Sequence, residues 1–294
     1  MPRAQIKDLE LEYSLLGPPS GPPLLLIMGI GQQLVAWPQP LLQALSDAGV
    51  FTIRYDSRDT GLSTHFDDFT PPSMMQVLMG GREGSSQAPY TLNDMADDAV
   101  GLLEHLGIDR AHILGVSMGG MVAQLVAARH PERTKSLISI MSTTSEGDLP
   151  GPTEAAMQGF LRRPEGRDEA AMVEYGVMLR QVLGSPGYPA DDAYWAEMTR
   201  TAFRRDYSPA GFVRHLMAVT ACGHRRNELA TVKAPTLVIH GADDPLVPAA
   251  CGERTAALIA NAELQIIEGM GHDMAPALCP LLAERICAHL NHHA

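Results

Sequence analysis

Short, nearly uninterrupted apolar runs recur along this 294-residue chain, and stretches with helical periodicity lie between them. The runs fall at residues 23–28, 50–55, 111–115, 135–141, 236–240 and 264–268. A strand with one wet face alternates apolar and polar side chains, whereas a strand covered on both faces does not need to. Helical patterns occupy residues 40–48, 91–106, 118–130, 251–259 and 280–290. Strand and helix in alternation predict a doubly wound α/β domain with a mostly parallel sheet.

Residues at the helix ends agree with this division. Thr91 with Asp94 three positions later resembles a capping box, Gly107 stands just past the same helix, and Pro131 stops the next. Two regions break the rhythm. Residues 70–89 carry Pro71, Pro72, Gly80, Gly81 and Gly84 and are expected to form a mobile surface loop. Residues 145–227 show helical patterns and no convincing strand, which predicts a helical cap at 145–228 inserted into a core of 1–144 and 229–294.

Bulk properties remove several classes of function. A net charge of −12 with no basic run argues against nucleic acid and anionic membrane surfaces as partners. No apolar run approaches the length of a membrane span. No signal peptide is legible at Met1–Glu10, so a cytoplasmic location is expected. Cys222, Cys251, Cys279 and Cys287 lack metal-site spacing and read as reduced, buried thiols. A homo-oligomer stays open.

The strongest chemical signal is Gly115-Val116-Ser117-Met118-Gly119. A bare G-x-S-x-G arises by chance in a chain of this length with a probability on the order of 0.1, so context has to carry it. Here it directly follows an apolar strand and directly precedes a helix, the setting of a nucleophile elbow. A serine at the tip of so tight a turn brings neighbouring backbone close, and glycine two residues to either side removes the Cβ atoms that would collide.

A serine hydroxyl needs a base. His272, in Gly269-Met270-Gly271-His272-Asp273, is singled out among 11 histidines because it follows the last strand on a glycine-flexed loop. An orienting acid falls between the two in Gly241-Ala242-Asp243-Asp244-Pro245. Asp244 is favoured because Pro245 holds it extended as it leaves the strand, and Asp243 is the alternative. Donors for an oxyanion are expected at the N–H of Met118, where the helix begins, and of Ile30 in the glycine-rich loop Met28-Gly29-Ile30-Gly31-Gln32.

Together with Leu26-Ile27-Met28-Gly29 and Tyr55-Asp56-Ser57-Arg58-Asp59-Thr60-Gly61-Leu62-Ser63, these motifs resemble the α/β-hydrolase superfamily over nearly the whole chain. The Arg58–Ser63 stretch, and Met-Gly where many members have His-Gly, look most like the aclacinomycin methylesterase group, which hydrolyses the carboxymethyl ester of an anthracycline. The resemblance implies a core sheet of about eight strands under a helical cap. It also implies a triad of Ser117, Asp244 and His272 and an oxyanion hole at Ile30 and Met118. Arg58 and Asp59 are read as structural ties.

The expected activity is therefore carboxylic ester hydrolysis through an acyl-enzyme on a small-molecule ester, small to medium and apolar or methyl, with no cofactor and no metal. A cofactor-free perhydrolase or an aminopeptidase-like hydrolase uses the same constellation; the latter needs a cap carboxylate such as Glu154, Glu165, Glu169, Glu174, Glu197 or Glu228. A non-catalytic receptor would have no use for the three groups in register. Dehalogenases and epoxide hydrolases on this fold place aspartate at the elbow. Methionines 74, 75, 79, 118, 157, 172, 178 and 217 fall near the elbow, the 70–89 stretch or the cap as flexible lining or gap fillers.

Overall fold

Most of the apolar runs are buried on both faces because the sheet separates two cores; the last, at residues 264–268, lies at the sheet's edge and leaves Leu264 and Ile266 exposed. In the computed structural model, which describes residues 1–162 and 164–293, β3 (Pro23–Ile27) sends Leu25 and Ile27 into one core and Leu24 and Leu26 into the other. Central strands β5 (Ala111–Val116) and β6 (Thr134–Ile140) divide their side chains in the same way, and β7 (Thr236–Gly241) sends Leu237 and Ile239 into the second core. One core is covered by α3 (Leu92–His105) and α4 (Met118–Arg129), the other by α1 (Gln39–Asp47) and the last helix, Cys279–His292.

The sheet has eight strands in the order β1-β2-β4-β3-β5-β6-β7-β8, where β4 is Phe51–Tyr55 and β8 is Glu263–Ile267. From β4 to β8 neighbouring strands are parallel. At one edge β1 (Arg3–Ile6) and β2 (Leu9–Leu16) run antiparallel. Neither was expected as a strand. β1 lies at the sheet's edge and alternates exposed and buried positions, so it carries no continuous apolar run.

Helix ends follow the residues that predicted them. Thr91 Oγ1 accepts from the Asp94 N–H, and the Asp94 carboxylate accepts from the Thr91 N–H. Gly107 takes φ +68°, the left-handed turn that a chain leaving a helix needs.

The 70–89 stretch corrects an expectation. Instead of a mobile loop, residues Met74–Gly84 form helix α2, started by a capping box between Ser73 and Gln76 and kinked at Gly81 (φ 52°, ψ −144°). Its Val77 is buried against Leu216 and Met217. Pro and Gly density suggested a loop, but proline precedes the N-cap, where it costs no hydrogen bond, and tertiary packing overrides the weak propensity of the glycines.

Between β6 and β7 lie α5 (Glu154–Leu161), α6 (Glu169–Leu183), α7 (Asp192–Arg205), α8 (Pro209–Cys222) and the single turn α9 (Arg226–Leu229), with no strand among the described residues. Thr153, Asp168 and Ser208 cap the N-termini of α5, α6 and α8. Buried ion pairs join this roof to the core. Arg214 of α8 grips Asp59 through two hydrogen bonds of 2.7 and 2.8 Å, and Arg205 of α7 reaches Asp56 at 2.9 Å. Arg58 makes a matching two-pronged contact with Asp98 at 2.7 Å, so Arg58 and Asp59 serve as ties, as expected. No helix among the described residues is long and apolar enough to cross a membrane. All four cysteines are free.

Candidate active site

Ser117 occupies the turn between β5 and α4 with φ 56° and ψ −120°, a conformation that L-residues rarely adopt. The turn is tight enough to require its glycines. A Cβ on Gly115 would come within 2.0 Å of the Gly119 carbonyl oxygen, and one on Gly119 within 2.1 Å of the Ile27 carbonyl oxygen. The Ser117 backbone is held by its N–H to the Ile140 carbonyl (2.9 Å), and its own carbonyl accepts from the Ser142 hydroxyl (2.8 Å).

His272 lies with its Nε2 3.1 Å from Ser117 Oγ and its Nδ1 2.7 Å from Asp244 Oδ2. A carboxylate can only accept, so Nδ1 carries the proton and Nε2 is left to accept from the serine hydroxyl. Asp244 Oδ1 is held by the N–H groups of Leu246 (2.9 Å) and Val247 (2.8 Å). Burial alone would raise the Asp244 pKa. The adjacent His272, the donor from His240 and the Val247 N–H outweigh burial and hold it far below the usual carboxylate range. Asp243 turns elsewhere and accepts from the Gly269 N–H at 2.8 Å, so Asp244 is the one of the two carboxylates in contact with His272.

The loop after β3 folds against the serine. Gly29 sits so close that a Cβ there would lie 3.4 Å from Ser117 Cβ, and the Gln32 N–H closes a turn on the Gly29 carbonyl at 3.1 Å. The Ile30 N–H donates to no group among the described residues. Met118 is the first residue of α4, so its N–H has no helical carbonyl to bond. His215 of α8 steadies the loop: Nδ1 accepts from the Gly31 N–H (3.1 Å) while Nε2–H donates to the Arg58 carbonyl (2.7 Å). Acceptance at Nδ1 requires a neutral ring, and burial lowers the His215 pKa to about 4.

Above Ser117 and His272 is a cavity of about 120 Å³. Its walls are largely apolar, with Phe160, Phe212, Leu183 and Trp195 from the roof. Met28, Met141, Met198 and Met274 line it, and none of the eight methionines singled out by position does. None of the cap glutamates weighed above lines it; the carboxylate at the wall is Asp273.

The connection after α6 is stitched to the histidine loop. The His272 N–H donates to the Leu183 carbonyl (2.7 Å), and the Gly187 N–H to the Gly269 carbonyl (2.9 Å). Ser185 Oγ accepts from the Gly271 N–H (2.9 Å) and donates to Asp273 Oδ1 (2.5 Å). Burial raises the Asp273 pKa against these contacts. Sequence reasoning missed Arg180, Ser185 and Trp195, because no motif marks them. Among the described residues no group of three or more His, Cys, Asp or Glu is placed to hold a metal ion.

Comparison with known proteins agrees with the geometry. Residues 22–275 match the family described as alpha/beta hydrolase fold. The chain is 30% identical to rhodomycin D methylesterase DauP of Streptomyces sp. (strain C5) across 93% of its own length and 92% of the relative's. It is likewise 30% identical to rhodomycin D methylesterase DnrP of Streptomyces peucetius, with the same coverage. A solved enol-lactonase from Burkholderia xenovorans LB400 superposes with a TM-score of 0.73 at 25% identity, covering 99% of this chain and all of that one. A parallel sheet wound on both faces, a serine on the β5–α4 turn and the family match over 22–275 lead to one assignment: the chain is a member of the α/β-hydrolase family.

Proposed function

We propose that this protein is a serine carboxylesterase in which Ser117 is the nucleophile, His272 the general base and acid, and Asp244 the group that fixes the histidine. The reading is carried by one observation: the unbroken contact from Asp244 through His272 to Ser117, at 2.7 and 3.1 Å, on the floor of an apolar cavity.

In the first half-reaction Ser117 Oγ attacks the ester carbonyl carbon as its proton passes to His272 Nε2. The Ile30 and Met118 N–H groups receive the oxyanion, and Asp244 stabilises the imidazolium. His272 then returns the proton to the departing alcohol, leaving an acyl group on Ser117. In the second half water loses its proton to His272, attacks the acyl carbonyl, and Ser117 leaves with that proton. The buried, ionised Asp244 keeps the imidazole in the tautomer both halves need.

The cavity favours a small to medium ester. Its roughly 120 Å³ is below the ~300 Å³ at which pockets for drug-sized ligands begin, and the apolar walls suit an aliphatic or aromatic acid esterified with a small alcohol such as methanol. The methylesterase relatives support an ester substrate of this kind. An aminopeptidase activity lacks support, because none of the candidate cap glutamates reaches the cavity. Hydrolysis of a p-nitrophenyl ester series from acetate to laurate by the wild type and Ser117→Ala tests the reading. Activity greatest on the shorter esters and absent from a folded Ser117→Ala variant is expected; turnover retained by that variant would refute it.

A further inference from the structure

The buried arginines of this fold have their acceptors built in. Arg58 holds Asp98, Arg214 holds Asp59, Arg205 holds Asp56, and Arg225 donates to the carbonyls of Thr143 and Gly223. Arg180 does not follow this pattern. It lies in the last turn of α6 and lines the same cavity as Ser117 and His272. Its guanidinium stacks on Trp195, with Cζ 4.9 Å from the ring centroid. None of its N–H groups finds a hydrogen-bond acceptor among the described residues, and no carboxylate comes within 4.0 Å. None of its nitrogens is among the sealed, partnerless polar atoms of the fold, so they keep accessible surface, and the residue lines the cavity.

Stacking uses the face of a guanidinium and leaves its edge free, and that edge carries paired donors matched to a carboxylate. Arg180 stays a cation, since a guanidinium is so strong a base that burial lowers its pKa without neutralising it. The one carboxylate that lines the same cavity, Asp273, is already engaged by the Ser185 hydroxyl. A desolvated cation with free donors in an apolar chamber is costly unless something bound supplies the acceptor.

We propose that Arg180 is a specificity-determining residue that receives a carboxylate of the substrate, so that the preferred substrates are esters whose apolar body carries one free carboxylate, as in a half-ester of a dicarboxylic acid. This rests on the esterase reading above and narrows its substrate class. The scissile ester lies over Ser117, the body fills the space between Met28, Met141 and Phe212, and the far carboxylate meets the guanidinium edge beside Trp195. Arg180 takes no part in bond making; it selects and orients.

The test compares mono-p-nitrophenyl adipate with p-nitrophenyl hexanoate, which differ in the terminal carboxylate. The ratio of their kcat/KM values is measured for the wild type, Arg180→Met and Arg180→Lys. A charge-assisted contact supports about a 10- to 100-fold preference, so the wild-type ratio is expected to fall at least tenfold in Arg180→Met, with Arg180→Lys in between. A ratio that stays within twofold of wild type in Arg180→Met overturns the proposal and leaves Arg180 a support for Trp195. Binding of adipate to Ser117→Ala by calorimetry, with and without Arg180→Met, gives a readout independent of turnover. Adipate bound by Ser117→Ala and lost on adding Arg180→Met supports the carboxylate subsite even if no ester is cleaved; equal binding by both, or by neither, counts against it. Absent turnover on both esters would count against the esterase reading alone.

Discussion

The floor of the cavity is built from backbone turns, whereas its roof is built from side chains on helices. Below, Ser117 sits at φ 56° between glycines that touch carbonyl oxygens, and the loop at Gly29 packs against it. Above, α6, α7 and α8 contribute Leu179, Leu183, Trp195, Met198 and Phe212, apolar groups that a substitution of similar volume can replace. The floor therefore leaves almost no freedom in the choice of residue, while the roof leaves a great deal. The two meet at a few contacts, where Leu183 and Ser185 hold the histidine loop and Arg205 and Arg214 anchor the roof.

That contrast orders the effects of substitution. The largest change short of the nucleophile belongs to the floor. Asp244→Asn keeps the shape but lets the amide donate to Nδ1, which leaves Nε2 protonated and unable to accept from Ser117; kcat is expected to drop about 10⁴-fold. A loss below tenfold in steady-state kinetics would show that another group orients His272. Next comes the anchoring of the roof. Arg214→Leu abandons the Asp59 carboxylate in the interior and should cost about 3–5 kcal/mol of stability, read as a lower denaturant midpoint. A midpoint unchanged from wild type would mean that the roof is held by apolar packing instead.

A smaller effect is expected where roof and floor join. Ser185→Ala removes the acceptor of the Gly271 N–H and the donor to Asp273, and an unpaired buried group costs about 1–3 kcal/mol. Loosening of the histidine loop should lower kcat about tenfold with less change in KM, whereas a change confined to KM would place Ser185 in substrate binding only. Least specific to either region is the response to acid. Burial holds His112, His215 and His289 neutral with pKa values of about 4, so the unfolded chain, with ordinary values near 6.5, takes up protons first. Stability should fall as pH drops from about 6.5 to about 4. Asp59 and Asp244, whose folded values lie below the ordinary carboxylate range, add to the loss at still lower pH. Denaturant midpoints that do not change across pH 7 to 4 would contradict the buried, neutral state of these rings.

The same contrast explains what the sequence reveals. Glycines that a Cβ would drive into a carbonyl leave a fixed spacing around Ser117, and the histidine and aspartate must follow particular strands, so the floor is legible residue by residue. Central strands betray themselves by continuous apolar runs because both faces are covered. The antiparallel strands β1 and β2, with polar residues interspersed, do not, and α2 hides behind its glycines although Ser73 and Gln76 mark its start. Arg180, Trp195 and the four cavity methionines belong to no motif, because only the path of the helices brings them over Ser117. Arg214 and Asp59 are 155 residues apart, and a buried pair at that separation carries no local signal.

The central claim, that Ser117 is the nucleophile, is tested most directly by treating the protein with a fluorophosphonate and mapping the adduct by peptide mass spectrometry while turnover is followed. The expected result is one adduct, on Ser117, formed in step with the loss of esterase activity and absent when Asp244 or His272 is replaced. An adduct on another serine, or full activity with Ser117 modified, would contradict it.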